Sequence, residues 1–146
     1  MNNIQQMFNP DTHYYSAYIY TLTVASIAAA ANATASANVE SDSVFVWQKT
    51  AYFTDLAGAV QTEDSRVIPL VTLQITDTGT GRQFYDSVQP INNIAGQGGM
   101  PAILSAPYIF KKNSTIQGAF NNFSSATTYL NLNVSLIGFR IYKMGS

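Results

Sequence analysis

TTYLNLNVSLIGFRIYK, residues Thr127 to Lys143, decides the fold. Leu130, Leu132, Val134 and Leu136 alternate with Asn131, Asn133 and Ser135. A period of two marks a strand with one buried and one wet face. At Gly138 the phase changes, and Ile137, Phe139 and Ile141 carry the apolar set. Such a slip turns buried side chains outward unless the strand bends or bulges. Glycine permits the bend, so this reading predicts a long strand that is kinked at Gly138 and serves a corner or two sheets.

Similar signals lie upstream. Tyr18, Tyr20, Leu22 and Val24 share one face of a strand, with Thr21 and Thr23 on the other. Ser26 to Ala37, SIAAAANATASA, has the alanines of a helix, but Asn, Thr and Ser interrupt it and no charge accompanies it. It reads as a turn at Ala29 to Asn32 followed by a strand. Ser43 to Thr54, SVFVWQKTAYFT, is a further strand, and Asp55 to Ser65 is a loop. The run from Val67 to Thr76 alternates, but Pro69 lacks a ladder donor, so its strand lies at an edge or starts after the proline. Asp77-Thr-Gly-Thr-Gly81 is a hairpin turn. A short strand is predicted over 82–86, a loop over 90–107, and strands over 108–110 and 115–121. The result is an all-β antiparallel sandwich of about eight strands, arranged as a jelly roll, with no convincing helix.

The first sixteen residues, MNNIQQMFNPDTHYYS, read as an extended N-terminal arm, and 17–146 as the jelly-roll domain. Met7, Phe8, Tyr14 and Tyr15 are large for a free tail, which makes them the candidate interface residues on a neighbouring protein. The arm has neither the basic start nor the apolar run of a signal peptide. Tyr18 to Ala31 is too short and too interrupted to span a bilayer. The chain therefore reads as soluble and unprocessed, without a membrane partner.

Charged residues make up only 10% of the 146, against 47% hydrophobic, and the net charge is −1. Neutral hydrogen-bonding groups cover such a surface, which suits packing against another protein. Lys111-Lys112 is the only basic pair, too little for nucleic acid. There is no cysteine and one histidine, His13, with only Asp11 nearby. No metal and no cofactor is expected. Gly96-Gln-Gly-Gly99 lacks the Lys-Ser/Thr of a phosphate loop and is followed by Pro101. Carboxylates for acid–base chemistry would have to come from Asp55, Glu63, Asp64, Asp77 and Asp86, all in predicted loops or turns. No catalytic residue is assigned, and the chain is read as not an enzyme. A double-stranded β-helix enzyme needs a cluster of histidine and carboxylate ligands, which this chain lacks. The acceptor-like triplets at Asn32, Asn113, Asn122 and Asn133 are what chance gives in a chain rich in Asn, Ser and Thr.

Three blocks together carry a resemblance: VESDSVFVWQKTAYF (39–53), RVIPLVTLQITDTGTGRQF (66–84) and PAILSAPYIFKKNSTIQGAFNNFSSATTYLNLNVSLIGFRIYK (101–143). Over about residues 17 to 143 the chain resembles small jelly-roll virion structural proteins of tailed bacteriophages, the capsid decoration or cement proteins. The resemblance implies a homo-oligomer, with a trimer favoured, that clamps the major capsid protein on the outer surface of the virion after synthesis in the host cytoplasm. Head-fibre bases and neck or tail proteins share such folds. A carbohydrate-binding module is a separate alternative, with Tyr14, Tyr15, Trp47 and the 90–107 loop lining its site.

Overall fold

The computed structural model describes residues 13–57 and 68–143. Its strands are β1 (His13–Ile27), β2 (Asn32–Asn38), β3 (Ser43–Leu56), β4 (Val71–Asp77), β5 (Arg82–Gln83), β6 (Gln89–Pro90), β7 (Ala102–Phe110), β8 (Thr115–Asn122) and β9 (Tyr129–Lys143). One helical turn, α1 (Ile91–Ile94), follows Pro90. Four strands form one sheet in the order β1-β9-β3-β7. The second runs β2-β8-β4-β5, and β6 also pairs with β4. All strand pairs are antiparallel. The two short strands β5 and β6 share one position beside β4, which leaves eight strand positions. The chain crosses between sheets after β1, β2, β3, β6, β7 and β8, as in a jelly roll.

Local chemistry explains the elements. The alanine run turns at Ala28–Ala31, where the Ala31 N–H donates to the Ala28 carbonyl and Ala30 takes φ 59°. It then gives β2, with Ala33, Ala35 and Ala37 packed on the core. The strand after Pro69 begins at Val71, beyond the residue that cannot donate. Between the sheets lie Leu22, Phe45, Leu73, Phe120, Leu132 and Leu136, all buried. Trp47 joins them with its indole N–H shared between the Lys49 carbonyl and Thr50 Oγ1, each at 3.0 Å. Its ring meets Phe84 edge-on at 5.2 Å, an arrangement that adds about 1 kcal/mol to the area buried.

Several expectations are corrected. β9 neither changes sheets nor slips at Gly138. Its register with β1 runs unbroken from Leu132 opposite Val24 to Lys143 opposite His13. The irregularity near Gly138 belongs to β3, where Gln48 is the extra residue between Trp47 opposite Gly138 and Lys49 opposite Ile137. The bulge drives the β3 backbone onto Gly138, where a Cβ would overlap the Val46 carbonyl oxygen. Gly138 is there for close approach rather than for a bend. The slip in β9 lies at Asn131, whose φ is +52° and where register with β3 shifts between Phe53 and Asp55. Tyr129, not Leu130, therefore enters the core.

The predicted loop over 90–107 contains α1 and most of β7, which starts at Ala102 instead of Tyr108. Asp55 lies within β3 and is buried, not in a loop. His13 to Ser16, read as the end of an arm, are the start of β1 and pair with 140–143. The rest of the arm lies outside the described residues.

Candidate docking face

The strands of the two sheets differ in length. β1 and β9 have 15 residues each, against seven or eight in β2, β4 and β8. At about 3.3 Å per residue the first sheet is roughly twice as long. The main core reaches Tyr18 and Tyr20 on β1 and, one row further, Phe45 on β3 and Phe110 on β7. At this end the first sheet carries two more side-chain clusters, one on each face.

On the outer face, directed away from the core, Val46, Phe139 and Ile141 form a second buried cluster with Tyr15, Val44 and Ile109 packed against it. The phase change read at Gly138 is the signature of this cluster, because the strand continues while its apolar side chains change face. Tyr15 lies 5.6 Å from Phe139. The same face holds the exposed side chains of Ile19 and Ile103, with the exposed Lys49 between Ile103 and Ile137, and, lower down, a neutral polar ladder. There Thr23 Oγ1 donates to Asn133 Oδ1 at 2.8 Å, and Thr21 and Ser135 hydroxyls meet at 3.4 Å.

On the opposite face of the overhang, Tyr14 stacks on Tyr142 at 4.8 Å. Arg140 lies between the Tyr18 and Tyr142 rings and is tied to Glu40 at 2.8 Å. The Glu40 N–H reaches the Tyr20 hydroxyl, whose pKa is raised by burial despite that hydrogen bond. Tyr14 and Tyr15 thus sit at one end of one sheet, on opposite faces. Met7 and Phe8 lie outside the described residues. Sequence reasoning missed Arg140 and Glu40, which are a hundred positions apart.

A separate cleft of about 350 Å³ opens between β5 and β7, lined by Trp47, Arg82, Phe84, Tyr85, Pro107 and Tyr108 among others. Trp47 is only 1% exposed and forms its floor. Arg82 stands over the Tyr108 ring at 5.5 Å, and the Tyr108 hydroxyl donates to Asp77 at 2.7 Å. Burial pushes the Tyr85 phenol up to about 12. Tyr14 and Tyr15, two strands from Trp47 in the sheet, do not reach this cleft. A single glycan site of Tyr14, Tyr15 and Trp47 is therefore ruled out by placement.

The remaining sequence candidates have structural duties. Asp77 caps the following turn through the Gly79 N–H, and Asp55 accepts from Asn131 Nδ2 at 3.0 Å. Asp86 is exposed, and Glu63 and Asp64 lie outside the described residues. Gly96 bridges to Ala51, exchanging hydrogen bonds with Thr50 and Tyr52, and a Cβ there would overlap the Met100 carbonyl. Among the described residues no group of three His, Cys, Asp or Glu side chains is placed to hold a metal ion, and no helix is long and apolar enough to cross a membrane.

Comparison with known proteins finds no matching family model, no matching curated protein and no matching solved structure.

Proposed function

We propose that this chain is a structural virion protein, a capsid decoration protein that binds major capsid subunits and stabilises the phage head. One observation carries the reading. On the outer face of the four-stranded sheet the exposed Ile19 and Ile103, with Lys49 beside Ile103, lie between a buried apolar cluster of Val46, Phe139 and Ile141 and a neutral Thr–Asn–Ser ladder. Exposed isoleucines among neutral hydrogen-bonding groups, with Lys49 the one charge between them, match the composition of a protein-binding surface. A subunit that binds only the assembled shell adds its binding free energy to the shell's resistance to rupture. The phage setting comes from the resemblance in sequence.

The test is the copy number of the protein in purified particles, together with rebinding of purified protein to stripped heads. Shell decoration requires copies in proportion to the major capsid protein. Ile103→Lys, at a side chain 75% exposed on the outer face, should weaken rebinding at least tenfold with the fold intact. A handful of copies per particle would place the protein at the neck or tail, and absence from particles would end the proposal.

The cleft supports a second reading, a carbohydrate-binding jelly roll. Its aromatic walls and the Arg82 guanidinium, which has no ion pair among the described residues, are the groups a sugar site uses. Binding on a glycan array that is abolished by Arg82→Ala would favour it.

A further inference from the structure

The four outer positions of the two sheets are not equally guarded. β7 carries Pro107 and a four-residue excursion, Leu104 to Pro107, between Ile103 opposite Lys49 and Tyr108 opposite Trp47. β5 and β6 have two residues each. β2 has seven, and alanines form its inward side. Short strands, prolines and bulges are the devices that keep a sheet edge from pairing with another chain.

β1 has none of these. It runs for 15 residues and keeps one register with β9 along its whole length. From Tyr14 to Ile27 it contains no Lys, Arg, Asp, Glu, Pro or Gly. Among the described residues, β9 is the only strand it pairs with. Every second residue of an edge strand turns its N–H and C=O away from its neighbour, so over residues 16–27 this margin presents a row of donors and acceptors with no strand against them among the described residues. Near the middle of β1, on the outer face, Ile19 is 53% exposed and is flanked on that face by Ala17 and Thr21.

We propose that β1 pairs antiparallel with β1 of a second copy of this chain about a two-fold axis at Ile19, joining two four-stranded sheets into one. The occupant follows from matching. The partner must be an uncharged extended strand without proline or bulge, and residues 16–27 of β1 are the longest such margin among the described residues. An uncharged strip meets its own copy without repulsion. The register sets Ile19 against Ile19 of the second copy and Ala17 against its Thr21, so small side chains flank the isoleucine pair and leave it room. The contact is isologous and closes at two copies, unlike the trimer implied by the resemblance. It does not depend on capsid binding.

The chain has no cysteine, so one introduced thiol reports on one position. Ile19→Cys should oxidise to a disulfide-linked dimer, because opposed residues of an antiparallel pair have Cβ atoms within bonding reach. Ile103→Cys, more exposed but on the far strand, should not. By light scattering the wild type should have the mass of two copies. Ile19→Lys should have the mass of one, with an unchanged circular dichroism spectrum. A wild type of one or three copies, an Ile19→Lys protein that keeps the wild-type mass, or equal cross-linking of the two cysteine variants would each overturn the proposal. Capsid rebinding is a separate readout, and its loss or retention leaves these outcomes unaffected.

Discussion

The Arg140 guanidinium carbon stands 3.9 Å from the centre of the Tyr18 ring and 4.9 Å from that of Tyr142. The cation is held by two aromatic faces as much as by Glu40. The Arg140 side chain is 16% exposed and that of Glu40 is 48% exposed, so solvent screens the ion pair while the ring contacts remain partly dry. Arg140→Ala should cost about 2 kcal/mol in urea denaturation, through lost packing and cation–π contact. Glu40→Gln should cost under about 1 kcal/mol. Equal losses would show that the ion pair dominates.

Gly138 accepts the β3 backbone where Gln48 bulges. Gly138→Ala should destabilise the fold by about 3 kcal/mol, because the clash is with main chain that cannot rotate away. Gly98→Ala, with open space around it, should be close to neutral. Thermal melts of the two variants make the comparison.

Asn122 is buried and staples three segments. Its Nδ2 donates to the Ile27 carbonyl at 3.1 Å and the Thr127 carbonyl at 2.8 Å, and its Oδ1 accepts from the Ser124 N–H and hydroxyl. Asn122→Ala should cost about 3 kcal/mol, since several buried groups lose a partner together. Asn122→Asp should also destabilise, because a carboxylate cannot donate to the two carbonyls.

The Tyr85 phenol is pushed up to about 12 by burial. Below pH 10 it is neutral in folded and unfolded chains alike. Between pH 10 and about 12 the unfolded chain releases a proton that the folded chain retains, so stability falls as pH rises through that window. Tyr85→Phe should lessen the fall in melting temperature between pH 10 and 12. Some fall should remain, because burial also raises Tyr20, Tyr52 and Tyr108. A variant that follows the wild-type curve would contradict the assignment.

What the sequence reveals here is what side-chain period and turn chemistry encode. The alternation of Leu132, Val134 and Leu136 locates β9, Pro69 sets the start of β4, and the 77–81 turn links β4 to β5. β7 escapes because Pro107 and the excursion before it break the period that would announce a strand. Gly138 and Asn131 are misread because a bulge in β3 and a positive φ in β9 are long-range backbone events. The outer face is half legible. The phase change is visible in the sequence, but alternation cannot say which side of a sheet is the inside. Arg140 and Glu40 carry no local signal that they meet.

β9 lies between β1 and β3, which have no ladder with each other. As a ribosome delivers the chain, the first sheet has no centre until the strand made last among those described emerges. Until then β1 waits with both margins open and its aromatic residues uncovered. Such long-range closure is slow and leaves the waiting strand prone to aggregation. Expression should therefore respond to translation speed and to chaperones, and fragments that stop before Tyr129 should accumulate as insoluble material.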